Sequence, residues 1–539
     1  MTTTVQIRRI IACILALIIF FDYEAASTYA YSEKEISHTL KSEEIQNIIL
    51  ESMKGNQSPG SAITVANGEK VVHEQYGFSN VRKKTPITKD TLFELGSTTK
   101  AFTALAMLIL DDEGVISLED RISKYVPWFN VNYNGKNVEI TIEQLIHHSS
   151  GLPEKTINHF PEGTSHDLLE KTVRLTDGIP LNFYPGTDFE YANIGYDLLA
   201  YILEVVTKKK YEDFVEEKIL LPLGMHSSYF DLDEAKKTGN MAQGYSPFFN
   251  RAVEYDAPRY QGSLADGYLI TSSKDMGIWL NAQLGRGDFP EQLARLIKKS
   301  HAIDNDIVAG EFEGKPLYYS YGWIVSEDGA YITHSGENPS FTSNIIILPK
   351  KEIAIGVQSN SPGSQTINIS QNIMKHLNDE PLVGITYSQG LLDKIFSIGI
   401  IALITLIFLA IVLIRTMKRR IHLKSESVLK KRKNFLLVVK LLIGLSFMIM
   451  LAVWPYIIDY SFHMVFVWMP LTLIIFNVLC FILVILFFYF INHEVSADKG
   501  YGSKELVEIN VSNTDFSRWF RLCPFTSINN LYISSQDQP

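Results

Sequence analysis

The chain has 539 residues, 46% hydrophobic and 20% charged, with a formal net charge of −10. That length and apolar content allow a large core and more than one structural unit, and the acidic balance argues against a nucleic-acid partner. The three cysteines, Cys13, Cys480 and Cys523, all lie outside residues 31–390, so no disulfide or thiolate metal site is expected there.

In chain order, Arg8 and Arg9 precede an apolar stretch from Ile10 to Phe21 and small residues up to Ala30, the order of a secretory signal. The stretch is too short to span a bilayer comfortably. Residues 1–30 are therefore read as a signal peptide, or as an uncleaved anchor because Asp22, Tyr23 and Glu24 make an untidy cleavage region. Most of the apolar run follows Cys13 instead of preceding it, which argues against lipidation. Residues 31–390 read as one exported domain.

Within that domain, "SAITVANGEKVVHEQYG" alternates in period two around Asn67-Gly68, a hairpin signal. "FELGSTTKAFTALAMLIL" places Gly96-Ser97 before an apolar helical run, with Lys100 three residues after the serine. "TIEQLIHH" and "NIGYDLLAYILEVVTKK" have helical spacing. "YGWIVSEDGAYITHSG" forms a second hairpin around Asp328-Gly329, and "NIIILPKKEIAIGVQSN" supplies two more strands. Strands from both ends of the domain are expected to form one antiparallel sheet. It is flanked by the Ser97 helix and a helix over Gln365 to Leu377, with a helical region inserted.

After Phe396 the chain becomes apolar. Residues 396–414, 435–458 and 464–491 are each long enough to cross a bilayer as a helix. Between the first two lies a loop, 415–433, with nine basic residues against the single acid Glu426, which the positive-inside rule assigns to the cytoplasm. The connector "DYSFH" has no lysine or arginine, as an outer loop should. The expected layout is an extracytoplasmic domain, a membrane domain over 391–492 with three transmembrane helices, and a cytoplasmic tail over 493–539. Lys440, within the second span, reads as a snorkelling side chain.

Ser97 and Lys100 suit nucleophilic catalysis. Backbone N–H groups at a helix start favour a developing oxyanion, and a desolvated lysine can act as base for a hydroxyl one turn away. The competing reading is an N-terminal cap followed by an ordinary lysine. The same spacing at Ser427/Lys430 and Ser496/Lys499 falls in polar cytoplasmic sequence with no apolar helix behind it. Further candidates are Tyr191 and Asn193 in "FEYANIGYDLL" and His334, Ser335, Gly336 and Glu337 in "YITHSGEN".

With Ser-x-x-Lys, Tyr-x-Asn and His-x-Gly in this order, the chain resembles the serine β-lactamase and penicillin-binding family on its class C side. "TIEQLIHHSSGLP", "ITSSKDMGIW" and "YGWIV" also resemble family segments, and the likeness covers roughly residues 45–377. The resemblance implies an α/β (α+β) fold of the β-lactamase/DD-peptidase type and hydrolysis through an acyl-enzyme. Ser97 would be the nucleophile, Lys100 and Tyr191 would move protons, and Asn193 and the strand His334-Ser335-Gly336-Glu337 would bind substrate. The backbone N–H groups of Ser97 and Glu337 would form the oxyanion hole. Glu94 either reads a polar substrate group or is a buried structural acid.

His334 stands where β-lactamases more often carry lysine, which weakens the case for efficient β-lactam hydrolysis. The expected substrates are small peptides or acyl-D-amino acids. The alternatives are removal of an N-acyl-D-asparagine leader, as by prodrug-activating peptidases that share this layout, hydrolysis of D-alanyl or other esters, and slow-turnover β-lactam sensing. No cofactor is expected. Nor is a metal, because His147 and His148 are adjacent and point different ways on a helix, and no acidic partner is read at ligand spacing.

Overall fold

The computed structural model describes residues 33–67, 70–312, 315–420 and 460–499, with four further positions between Gly444 and Pro455. The expected signal, Gly68, Ser427/Lys430, Lys440, nearly all of 435–458, Cys523 and most of the tail lie outside the described residues. The chain divides into two compact units, 1–426 with 445–483, and 427–444 with 484–539. In the second, the description is confined to Gly444 and the end of one helix.

The first unit is built on a nine-stranded antiparallel sheet. From one edge the strands are Val308–Phe312, Lys315–Ser320, Trp323–Ser326, Ile332–Asn338, Phe341–Leu348, Ile353–Ser359, Gly60–Ala66, Val71–Asn80 and Thr85–Pro86. Both expected hairpins and the pair from "NIIILPKKEIAIGVQSN" are present. The two ends of the domain meet where Ser61 pairs with Ser359.

Period-two alternation explains the layers. Ile63, Val65, Ile346, Ile355 and Val357 face helices Glu43–Gly55 and Gln365–Leu377 in one core. Ala66, Ile345, Ile347 and Ala354 face the opposite core, which holds the helix Lys100–Asp112. That helix is buried from Lys100 to Leu110, as expected for one apolar on all sides. Phe102 stacks on Trp279 with ring centroids 3.8 Å apart.

Among the described residues no helix is long and apolar enough to cross a membrane. The expected span at 396–414 falls within the helix Gln389–Arg420, many of whose side chains lie outside the description. The expected span at 464–491 is not one helix. Phe462–Trp468 ends before Met469-Pro470, and Leu471–Lys499 begins after them. Pro470 holds Met469 in extended backbone (φ −101°, ψ 157°) and has no N–H to continue the helix.

Candidate active site

The capping reading of Ser97 fails on geometry. Gly96–Thr99 form a single 3₁₀ turn leading into the helix Lys100–Asp112, and neither start has a side-chain cap. Residues three apart eclipse each other in such a turn, so the Lys100 ammonium group lies 3.2 Å from Ser97 Oγ. The same nitrogen donates to Asn193 Oδ1 at 2.7 Å and to the Asp266 carbonyl at 2.8 Å. Lys100 is fully buried. Two of its three bonds go to atoms that only accept, which fixes the third direction on Ser97.

The serine turn is held against the strand Ile332–Asn338 by two glycines. Gly96 has φ +58°, and a Cβ there would lie 2.5 Å from the Glu337 amide nitrogen. A Cβ on Gly336 would lie 1.9 Å from the Leu95 carbonyl oxygen and 2.9 Å from the Ser97 nitrogen. Both backbones can approach only because both residues lack side chains. Ser343 Oγ donates to the Leu95 carbonyl at 2.5 Å and sits 2.9 Å from Thr98 Oγ1, tying the turn to the next strand.

The strand Ile332–Asn338 pairs with Trp323–Ser326 only at Ile332 and Thr333, whereas it pairs along its full length with Phe341–Leu348. From His334 onward its other edge is open. Ser335 and Glu337 face out, and His334, Gly336 and Asn338 face in.

Asn193 opens the helix Asn193–Thr207, but Ala192 occupies the cap position with no side-chain bond, so the Asn193 amide serves Lys100 instead. Tyr191 lies beside the site, its ring centroid 4.9 Å from Lys100 Nζ, and its buried hydroxyl has no hydrogen-bond partner among the described residues. His148 packs on it with centroids 4.2 Å apart and accepts the Ala192 N–H through Nδ1.

His334 is buried and uncharged. Its Nδ1 lies 2.7 Å from the Ser335 carbonyl, which can only accept, so that nitrogen carries the proton and Nε2 accepts from the Tyr319 hydroxyl at 3.0 Å. Burial, aided by the Lys100 charge, pushes its pKa down to about 3. The unfolded chain binds this proton below about pH 6.5 and the folded chain does not, so stability is lost as pH falls from 6.5 toward 3. We expect His334→Gln to flatten the fall in thermal midpoint between about pH 7 and 4, by the equivalent of roughly 1 kcal/mol per pH unit. His301, pushed down to about 4 by burial, keeps part of the slope. Identical slopes for the variant and the parent would refute the assignment.

Glu94 is buried, and both of its oxygens are engaged. Arg259 Nη1 sits 3.1 Å from Oε1, and Asn338 Nδ2 donates to Oε2 at 2.7 Å. Burial raises its pKa, while Arg259 and Asn338 oppose the rise. Sequence reading missed Arg259, Asn338 and the Asp266 carbonyl. Partners separated by 165 and 244 residues leave no local signal. It also missed the buried Asp197 and Asp266, whose pKa values burial raises, that of Asp266 to about 6. Among the tyrosines of "PLYYSYGW", Tyr319 reaches His334, and Tyr321 donates to Asp304.

A buried lysine bonded to a serine on the turn before its helix, beside an open strand edge, defines a serine hydrolase of the Ser-x-x-Lys class. The Beta-lactamase family model matches residues 45–375, and the chain belongs to that family. It is similar to Protein flp of Staphylococcus aureus (strain MW2), 30% identical over 446 residues that cover 80% of this chain and 86% of that one. Among solved structures it resembles the octameric penicillin-binding protein homologue from Pyrococcus abyssi. That match has a TM-score of 0.53 and 30% identity, and covers 62% of this chain and 77% of that one. D-alanine carboxypeptidase AmpC from Burkholderia cenocepacia shares the fold, with a TM-score of 0.51 at 20% identity over 64% of this chain and all of that one.

Proposed function

We propose that the chain is a membrane-anchored extracytoplasmic peptidase that cleaves D-amino-acid-containing peptides through an acyl-enzyme on Ser97. The observation that carries this reading is the Lys100 hydrogen-bond set. Nζ donates to Asn193 Oδ1 and to the Asp266 carbonyl, so its third direction faces Ser97 Oγ at 3.2 Å, the line along which the serine proton would be taken. Lys100 takes the Ser97 proton as Oγ bonds to the substrate carbonyl carbon. The oxyanion is received by the N–H groups of Ser97 and Glu337. Collapse breaks the C–N bond, and the leaving amine takes the proton held on Lys100, relayed through the Tyr191 hydroxyl. Water then attacks the ester, its proton passes by way of Tyr191 and Lys100 to Ser97 Oγ as the acyl C–O bond breaks, and the acid is released with Ser97 regenerated.

The open edge from His334 to Asn338 supports binding of an extended peptide as an added strand. A neutral His334 supports a peptide amide over a β-lactam carboxylate at this position, since it offers no positive charge. The Burkholderia cenocepacia protein that shares the fold is a D-alanine carboxypeptidase, and a D-residue is the substrate proposed here by analogy with it.

Membrane anchoring is proposed from the long apolar runs over 396–414, 435–458 and 464–491, the last of them interrupted at Met469-Pro470. The connector also contacts the hydrolase domain. The Ser461 amide donates to Asn158 Oδ1 at 2.8 Å, His463 Nε2 is 2.8 Å from Glu162, and Tyr255 donates to the Val467 carbonyl at 3.1 Å. These bonds favour a connector on the same side of the bilayer as the active site. Burial, with the charges of Glu154 and Glu337, pushes the Tyr460 hydroxyl up to about 12.

The test is Ser97-dependent cleavage of N-acyl-D-amino-acid amides, their L counterparts and D-alanyl esters by the detergent-solubilised full chain, with labelled penicillin in parallel. We expect D over L selectivity on the order of a hundredfold. L-selective cleavage, hydrolysis surviving Ser97→Ala, or a persistent penicillin label without turnover of any peptide would each overturn the reading.

A further inference from the structure

We propose that Glu143, His147 and Asp304 form a divalent-cation site, best matched to zinc, that braces the wall behind the catalytic cleft. Their ligand atoms all lie within 4.8 Å of one another. Glu143 sits in the first turn of the short helix Ile142–Ile146, and His147 is its C-cap. Asp304 comes from the loop between helix Glu291–Ser300 and strand Val308–Phe312. Glu143 is the acidic partner that sequence reading overlooked, four residues before His147 and so on its face of the helix. Asp304 has no signal at that range.

The His147 tautomer decides what Nε2 offers to a ligand. Its Nδ1 lies 2.9 Å from the Tyr319 carbonyl, which can only accept, so Nδ1 carries a proton. In the neutral ring, Nε2 then presents a bare lone pair. That nitrogen lies 3.2 Å from Asp304 Oδ1, itself an acceptor, and has no hydrogen-bond partner among the described residues. The His147 side chain is 2% exposed, and its ring packs edge-on against Tyr321 with centroids 5.0 Å apart. A lone pair facing two carboxylates is repelled unless a cation lies among them. The 3.2 Å separation matches the edge of about 3.3 Å expected between two ligands at about 2.0–2.1 Å from a tetrahedral zinc.

The surrounding bonds resemble those that orient metal ligands. A ligating histidine usually donates its other N–H to a backbone carbonyl, and a ligating carboxylate is usually hydrogen-bonded on its free oxygen. Here the Tyr319 carbonyl fills the first role, and the Tyr321 hydroxyl, bonded to Asp304 Oδ2, fills the second. One imidazole and two carboxylates suit zinc and leave a fourth position for water. Asp304, 31% exposed, gives an entry path. The other charges acting on Glu143 are Glu119, which adds to the negative field, and Lys299, which opposes it. Lys299 is itself paired with Asp111 at 3.4 Å. The site joins the catalytic region through Tyr319, whose carbonyl holds His147 and whose hydroxyl holds His334.

The test uses the full chain in detergent, stripped with a chelator and titrated with Zn²⁺ by calorimetry, and with Co²⁺ by visible absorption. We expect one equivalent of Zn²⁺ bound and a thermal midpoint raised by a few degrees at about a hundredfold excess over Kd. A tetrahedral Co²⁺ spectrum should appear, and Asp304→Asn and Glu143→Gln should each weaken affinity roughly tenfold or more. Tyr321→Phe should weaken it less, by releasing one oxygen of Asp304. Three results would each overturn the site: no stoichiometric binding, binding that survives both carboxylate variants unchanged, or an Asp304-dependent stability that varies with pH but not with Zn²⁺. The last would mean that a proton on Nε2 fills the gap.

Discussion

Replacing Lys100 by methionine is expected to lower kcat/KM by a factor on the order of 10²–10⁴, the usual contribution of a positioned base to proton transfer. Lys100→Arg should lose as much. A guanidinium keeps the charge but does not give up its proton in a protein, so the pair of variants separates a base from a charge that only steadies the site. The expectation rests on geometry: Asn193 Oδ1 and the Asp266 carbonyl hold two of the three directions at Nζ, and the third faces Ser97 Oγ. The buried acids Asp197 and Asp266 lie in the field of Lys100, and burial already favours their protonated forms. Circular dichroism of Lys100→Met should therefore match the parent even though the thermal midpoint falls. An arginine variant with more than about a tenth of the parental rate would remove Lys100 from the role of base.

Much of this site was legible along the chain because its polar anchors lie at element ends. Ser97 and Lys100 are local neighbours, and their spacing acquired meaning from the buried helix behind them. Tyr191 lies just before a helix that Asn193 opens, and His334 to Glu337 run along a strand whose alternation is plain in the sequence. The sheet was legible too, since period-two runs around Asn67-Gly68 and Asp328-Gly329 pair locally. Sequence did not reveal what brings these pieces together. Glu94 reads as an acid three residues before the serine, and only the fold reveals that Arg259 and Asn338 occupy its two oxygens. The break at Met469-Pro470 escapes sequence reading for a different reason. Hydropathy averages over a window, so one proline disappears into the surrounding apolar residues although it ends a helix.

The second large effect concerns a residue with no side chain. Gly336→Ala is expected to lower kcat by a factor on the order of 10²–10³, the cost of losing one oxyanion donor, and to destabilise the fold by roughly 1–3 kcal/mol through overpacking. The new methyl group would stand 1.9 Å from the Leu95 carbonyl oxygen, 2.8 Å from Ser343 Oγ and 2.9 Å from the Ser97 nitrogen. Two of these are backbone atoms and cannot rotate away, so the serine turn must move off the strand. Such a move carries the Ser97 and Glu337 amides apart, while the bonds within the turn, including Lys100 to Ser97, can travel together. The variant should thus keep its proton relay and lose its oxyanion hole, which makes kcat fall with little change in its pH profile. Gly310→Ala is the control, because a Cβ there meets nothing within 4 Å. If Gly336→Ala turns over the best D-amino-acid amide within about threefold of the parent, the close approach of turn and strand is not what catalysis requires.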